Sequence, residues 1–239
     1  MFGGNGDDRL EGGDGNDQLA GGFGANAIYG NQGDDTIGGV IGAKPIRSFD
    51  TVFGGQGNDL IRYLFSNDNA SIYGNLGNDT LEGSSTFDQI FGGQGDDSIR
   101  GNVGSDGLFG GLGNDTFVAA VNNSGSSGTE SGKTNNDSDD IVDFTTGQDK
   151  VRLLLNGTDT PGTDANYSEY QDSTVGLETQ AVSSYEAHAQ VFFKEQYTFI
   201  AGQIDGYLVI DANVDGIADG VIQFTGLGSL SKFAFTDII

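Results

Sequence analysis

The chain has 239 residues, 42 of them glycine and two proline, and its 35 acidic against 10 basic side chains give a formal net charge of −25. That balance excludes nucleic acid and anionic membrane surfaces as natural partners and makes cations the obvious ones. Cysteine is absent, which excludes disulfides and thiolate metal sites, and no apolar run approaches the ~18 residues of a membrane span.

So much glycine reads as disorder without a period and as a repeat architecture with one. The period here is nine. It runs as GGNGDDRLE (3–11), GGDGNDQLA (12–20), GGFGANAIY (21–29) and GNQGDDTIG (30–38). After two swollen copies it continues through GGQGNDLIR (54–62), GNLGNDTLE (74–82), GSSTFDQIF (83–91), GGQGDDSIR (92–100), GNVGSDGLF (101–109) and GGLGNDTFV (110–118). The swollen copies are Gly39–Phe53, with six extra residues, and Tyr63–Tyr73, with two, which makes twelve copies over 3–118. The eighth position is always apolar: Leu10, Leu19, Ile28, Ile37, Val52, Ile61, Ile72, Leu81, Ile90, Ile99, Leu108 and Phe117. Positions seven to nine alternate out, in, out, as a strand does, and the glycines before them permit a tight turn.

Each copy therefore reads as a turn plus a very short strand. Two copies make one coil of eighteen residues, and stacked coils make two parallel sheets with the eighth residues meeting between them. Each buried eighth residue contributes roughly 1.5–3 kcal/mol. The entropy of ordering so many glycines opposes that gain, so a further stabiliser is needed. Coils stack about 4.8 Å apart, which lines up the sixth-position carboxylates along an edge at repulsive spacing. A hard divalent cation converts that repulsion into binding. Ca²⁺ takes about 6–8 oxygens, backbone carbonyls included, and glycine lets the carbonyls turn toward it.

These copies resemble the RTX (repeats-in-toxin) nonapeptide, G-G-x-G-x-D-x-U-x. The resemblance covers 3–118 and implies a parallel β-roll; with the C-terminal part read as a small β-rich C-terminal cap with one helix, the expected fold class is all-β. The resemblance also implies calcium as the cofactor, export through type I secretion machinery by an uncleaved C-terminal signal, and folding on contact with extracellular calcium. The chain opens inside the repetitive part, so further sequence is expected upstream of Met1.

The two edges differ. Even copies place Asp17, Asp35, Asp59, Asp79, Asp97 and Asp115 at position six without a gap. Odd copies place Asp8, Asn26, Asp50, Ala70, Asp88 and Asp106 there, lose glycines and take both insertions. One complete calcium ladder is expected on the even edge, about five ions in the five gaps between six turns, and few ions on the odd edge, near its ends. The rival reading makes these residues plain Asx-turns, which six in register disfavour. The ninth position of odd copies reads Tyr29, Phe53, Tyr73, Phe91 and Phe109, an outward aromatic ladder. One reading makes it a surface for sugar rings or a partner; the favoured one makes it cross-strand stacking, or a face covered by loop 43–49 or the C-terminal part.

Beyond the repeats, 119–140 is a polar, low-complexity loop. Its GKT lacks the glycine that a phosphate loop needs, since Ser127 stands there. The capping and secretion-signal region is 141–239. DDIVDFTTGQDKVRLLL (139–155) reads as two strands around a turn and resembles the segment that follows the repeats in secreted RTX proteins. A helix is expected over 179–195 from apolar residues at 181, 182, 185, 189, 192 and 193, then strands at YTFIAG, GYLVID and GVIQFTG. The loop DANVDGIAD sets Asp211, Asn213, Asp215 and Asp219 at positions one, three, five and nine of a calcium loop, but Ile222 stands where position twelve wants Glu. It reads as a hairpin loop that either holds one Ca²⁺ or is an ion-free Asp/Gly turn.

No catalytic residue is expected. His188 is the single histidine, and no HExxH or GxSxG is present. The chain reads as a calcium-binding structural or interaction module of an exported protein, secreted or at the cell surface. The alternative is an accessory C-terminal domain of a secreted protease, lipase or alginate epimerase, touching polysaccharide or another substrate through the aromatic ladder.

Overall fold

The computed structural model describes residues 1–38, 49–63, 69–121, 139–155, 158–159, 161–163, 167–189, 197–211, 214, 218–229 and 233–239. The chain divides into two compact units, Met1–Phe117 and Val118–Ile239.

The first unit is a parallel roll. Its strands are β1 (Phe2–Asn5), β2 (Arg9–Asp14), β3 (Gln18–Phe23), β4 (Ala27–Gln32), β5 (Thr36–Gly38), β6 (Phe49–Gln56), β7 (Leu60–Arg62), β8 (Asn69–Leu76), β9 (Thr80–Glu82), β10 (Gln89–Gln94), β11 (Ser98–Arg100), β12 (Gly107–Leu112) and β13 (Thr116–Val121). Odd-numbered strands form one sheet and even-numbered strands the other, each in sequence order. Equivalent positions pair from coil to coil. Leu10 faces Ile28, Ile28 faces Val52, Val52 faces Ile72, and in the other sheet Ile37 faces Ile61, which faces Leu81. The insertions between those copies leave the register intact, because the extra residues fall before the strand rather than inside it. All twelve eighth-position side chains are at most 3% exposed, so they are the core of the roll.

Most strands are longer than the three residues read from the pattern. They run through positions seven to nine and on through positions one to three of the next copy, as in β2, β3 and β4. The second position makes this extension possible. Gly22 sits at φ 95°, still paired in the sheet, and a Cβ there would collide with the Gly4 carbonyl of the coil before. Asn31 and Asn75 occupy the same position at φ 81°, which Asn tolerates better than other side chains.

The second unit holds β14 (Asp140–Ile141), β15 (Lys150–Leu155), β16 (Thr158–Asp159), β17 (Tyr167–Gln171), α1 (Glu178–Ala189), β18 (Tyr197–Ala201), β19 (Gly206–Ile210), β20 (Gly220–Phe224) and a last 3-10 turn at Phe235–Asp237. A mixed sheet runs β17-β18-β19-β20-β14, antiparallel at its centre and parallel at both ends. On one face, Ala181 and Tyr185 of α1 pack on Ile200, Tyr207, Val209 and Val221. An aromatic group forms a second core: Phe233 stacks on Phe199 at 4.8 Å and meets Phe144 and Phe224 at 5.6 and 5.1 Å. The chain end is fixed in this unit. Buried Asp237 accepts from Thr146 Oγ1 (2.5 Å), the Gly147 N–H (3.2 Å) and Lys150 Nζ (3.2 Å), and Ile238 bridges to Val151.

The expected strands at 139–155, YTFIAG, GYLVID and GVIQFTG are present, and α1 occupies the first part of the expected helix. Residues 190–196, which include the apolar positions 192 and 193, lie outside the described residues, as do the inserted stretch 43–48 and the polar loop over 122–138. β16 and β17 had no sequence signal, being short and mostly polar.

Candidate metal centre

The even edge is built by one repeated local structure. In each even copy the glycine turn brings the sixth residue inward, and its carboxylate becomes part of the roll rather than of its surface. Asp35, Asp59, Asp79, Asp97 and Asp115 are each at most 2% exposed. One carboxylate oxygen spans the gap to the coil before it. Asp17 N–H donates to Asp35 Oδ1, Asp35 N–H to Asp59 Oδ1 and Asp59 N–H to Asp79 Oδ1, each at 2.8 Å. Asp79 N–H donates to Asp97 Oδ1 at 2.8 Å and Asp97 N–H to Asp115 Oδ1 at 2.9 Å.

The second oxygen is treated differently. Oδ2 of Asp17, Asp35, Asp59, Asp79 and Asp97 is buried with no hydrogen-bond donor facing it, and so is Oδ2 of Asp8. A buried carboxylate oxygen left so is strongly unfavourable unless a cation completes it. It also lies in a space that only glycine leaves open. A Cβ on Gly30, Gly54, Gly74 or Gly92 would collide with Oδ2 of Asp35, Asp59, Asp79 or Asp97, five residues on in the same copy, and would crowd the carbonyl of the next coil's first glycine. Anionic oxygen and carbonyl oxygen thus come together at each turn, where only glycine leaves room for them, and such oxygens are the donor set of a hard cation. Among the described residues no three acidic or histidine side chains converge on one point. The carboxylates are spread one per turn along an edge, so backbone carbonyls would have to supply much of each shell.

The electrostatics agree. Burial pushes the Asp59 and Asp79 carboxyls up to about 6 and that of Asp97 up to about 7. The N–H from the preceding coil opposes the rise in all three, and neighbouring carboxylates add to it at Asp59 and Asp97. Asp35 is raised as well, first by burial.

A second ladder on this edge was missed in the sequence. The fifth residue of every even copy is Asn or Asp: Asn16, Asp34, Asn58, Asn78, Asp96 and Asn114. Each but the last accepts, through Oδ1, the N–H of its equivalent one coil later: Asp34 to Asn16 (3.0 Å), Asn58 to Asp34 (2.8 Å), Asn78 to Asn58 (2.7 Å), Asp96 to Asn78 (2.9 Å) and Asn114 to Asp96 (2.8 Å). The sixth-position ladder reaches back one coil and the fifth-position ladder reaches forward, so every gap is held from both sides.

The odd edge is patched. Asp8 N–H donates to Asn26 Oδ1 (3.0 Å), Ala70 N–H to Asp88 Oδ1 (2.6 Å) and Asp88 N–H to Asp106 Oδ1 (2.7 Å). Asp50 Oδ1 accepts from both the backbone and the side chain of Asn26, at 2.7 and 3.2 Å. Asp88 Oδ2 accepts the Ser84 N–H at 2.6 Å, inside its own turn. Ala70 contributes no oxygen at all. At the other candidate, Asp211 is fully buried and Tyr185 Oη donates to its Oδ2 at 2.7 Å, while Asp219 N–H donates to Ile210 O at 2.7 Å and closes the β19–β20 hairpin. Asn213 and Asp215 lie outside the described residues, and so does the side chain of His188.

Tyr29, Phe53, Tyr73, Phe91 and Phe109 form one continuous half-buried stack on the outer face of the sheet of even-numbered strands, with centroids 4.5–5.1 Å apart and planes within 16°. Arg9 covers the free face of Tyr29 at 4.2 Å. Face-to-face stacking uses up the ring faces, so the ladder offers ring edges outward, whereas sugar rings pack on faces.

A family model for the RTX calcium-binding nonapeptide repeat matches in four copies, at residues 2–37, 47–70, 66–90 and 82–117. No curated protein matches the sequence significantly. Among solved structures, the chain is similar to the AlgE6R3 subunit of the Azotobacter vinelandii mannuronan C5-epimerase, at 17% identity and TM-score 0.35, over 95% of this chain and 78% of that one. It is also similar to the extracellular lipase LipA of Serratia marcescens, at 15% identity and TM-score 0.24, over 95% of this chain but 39% of that one. With the repeat model matched across both ends of the roll and one ladder of buried carboxylates along its edge, the first unit belongs to the RTX calcium-binding repeats and folds as their parallel β-roll.

Proposed function

We propose that this chain is a calcium-dependent structural module of an exported protein, with the even edge of its roll as the metal edge. One observation carries the reading: a row of buried carboxylates in register, each with one oxygen hydrogen-bonded to the coil before it and the other facing no donor. Calcium supplies the positive charge those oxygens need. The protein's own part is to hold Oδ1 by a backbone N–H, to aim Oδ2 into a glycine-lined notch, and to stack the notches at the strand spacing.

Binding to such a site is coupled to folding, because the notch does not exist in the extended chain. A module with this charge balance stays open where calcium is scarce and folds where it is plentiful, which suits passage through type I secretion machinery and an extracellular or cell-surface destination. The packed C-terminal segment, with Phe233 and Ile238 buried, is assigned to the secretion signal region. No catalytic role is assigned to the chain. The stacked, edge-on aromatic ladder serves as a structural seam, and that geometry weighs against the polysaccharide-binding reading.

The test is circular dichroism of the whole chain in chelator and then in rising calcium, with magnesium as the control. The reading expects β structure to appear with calcium in the ~10⁻⁴–10⁻³ M range of extracellular modules. A full β spectrum in chelator, unchanged by calcium, overturns it.

A further inference from the structure

Asn26 occupies a sixth position on the odd edge, and in sequence it looks like a lost ligand. In the structure it is 2% exposed and fully engaged. Its Oδ1 accepts the Asp8 N–H at 3.0 Å, as the Oδ1 atoms of the even edge accept theirs. Its Nδ2 then stands where the even carboxylates place the donorless Oδ2. From there it donates to Gly22 O (3.4 Å), Gly24 O (3.1 Å) and Asp50 Oδ1 (3.2 Å). Two carbonyls of its own turn and one carboxylate of the next coil thus converge on one atom. With an oxygen there, four oxygens would face one another and need a cation; with an N–H₂ there, the set is complete.

We propose that the Asn26 side-chain amide replaces a calcium ion on the odd edge, closing that turn with hydrogen bonds so that it holds its shape with no metal. This rests on the reading of the even edge as the metal edge. The amide orientation follows from its neighbours, since the opposite one would set Oδ1 against three acceptors and Nδ2 against an N–H donor. The same solution recurs three odd copies later, where the Ser84 N–H takes the second oxygen of Asp88 at 2.6 Å. The roll therefore carries a metal-dependent edge and, at these turns, a metal-independent one. The second fixes coil register without calcium, and the first completes folding when calcium arrives.

The test is the number of calcium ions bound per folded chain, measured by equilibrium dialysis at saturating calcium, for the natural chain, Asn26→Asp and Asn26→Ala. The substitution to Asp keeps the Oδ1 acceptor and exchanges the N–H₂ for an oxygen. One additional ion is expected with Asn26→Asp, together with a greater loss of β structure in chelator than in the natural chain. Asn26→Ala is expected to bind the same number as the natural chain. An unchanged count in Asn26→Asp, a variant that stays unfolded at saturating calcium, or a lower count in Asn26→Ala overturns the proposal. A natural chain that binds no calcium overturns instead the reading on which it rests, so the two failures are told apart.

Discussion

The two edges of the roll are made by the same nine-residue unit, yet they solve the same electrostatic problem in opposite ways. On the even edge, Asp35 through Asp97 keep one oxygen without a donor and pack a glycine against it. On the odd edge, Asn26 brings its own donor, Asp88 takes one from Ser84, and Ala70 removes the carboxylate altogether. A repeat that loses its acid has therefore not simply lost a ligand. Whether the site is broken or rewired depends on what the replacing atom donates, which is a property of side-chain chemistry rather than of motif score.

The largest effect that can break this comparison is removal of calcium. The even edge should fail as a whole, because stacked coils stabilise one another through nearest neighbours. Hydrogen exchange in chelator is expected to show lost protection at the even-edge amides of Asp35, Asp59 and Asp79 before loss at those of Asp8 and Asn26. Simultaneous loss on both edges would remove the distinction.

Next in size is the glycine notch. Gly74→Ala puts a methyl group into Asp79 Oδ2 and within 2.6 Å of the Gly92 carbonyl oxygen. Overpacking of this kind costs on the order of 1–3 kcal/mol, so the calcium midpoint for folding should rise measurably. Gly107→Ala is the control: its Cβ would meet only Phe109 Cε2, at 3.6 Å, and the midpoint should stay within the roughly 0.5 kcal/mol of ordinary surface changes. Equal shifts in the two variants would show that the notch is not part of a site.

Acidity should act more gently. The carboxyls of Asp59, Asp79 and Asp97 sit at about 6 to 7 in the folded chain without metal, raised first by burial, against about 3.9 unfolded. The folded form then holds more protons, so the metal-free roll is favoured most below about pH 4 and loses that favour as pH rises through 6 to 7. Protons neutralise the same buried oxygens that calcium would. The calcium needed for folding is therefore expected to fall as pH drops from 8 to 5.5, in a titration followed by circular dichroism. A midpoint that rises as pH falls would contradict the burial of these carboxylates in the folded chain.

The smallest expected effect belongs to the outer ladder. Asn78→Ala removes the acceptor of the Asp96 N–H, an exposed hydrogen bond of 2.9 Å. Net stability should fall by about 0.5–1 kcal/mol, with the number of bound ions unchanged. A lost ion would mean that the fifth position also contributes to the metal shell.

Much of this was legible in the sequence because the period of nine fixes both the core and the edge. Once Leu10, Leu19 and their equivalents are aligned, the sixth-position acids fall on two edges and the difference between the edges is visible. The fifth-position ladder was equally open to inspection, since Asn16, Asp34, Asn58, Asn78, Asp96 and Asn114 are all Asx while the odd copies read Asp7, Ala25, Phe49, Asn69, Phe87 and Ser105. It was missed because its meaning lies in a backbone N–H one coil away, and a residue pattern does not show which donor it answers. Asn26 was hidden for the same reason: deciding between a lost ligand and an internal donor needs the positions of Gly22 O, Gly24 O and Asp50. The Tyr29–Phe109 row was visible as a row, but only the ring planes tell a stacked seam from an open platform. In the second unit, β17 escaped because YSEYQ lacks the apolar alternation that marked β18 to β20.

The central claim is that the even-edge Oδ2 atoms face calcium, and Asp79→Asn tests it most directly. Oδ1 remains to accept the Asp59 N–H, now held at 2.8 Å, and only the donorless oxygen becomes an N–H₂. Calcium bound per folded chain, counted by equilibrium dialysis beside the natural protein, should fall by at least one ion. A count identical to that of the natural chain would contradict the assignment of this edge to the metal.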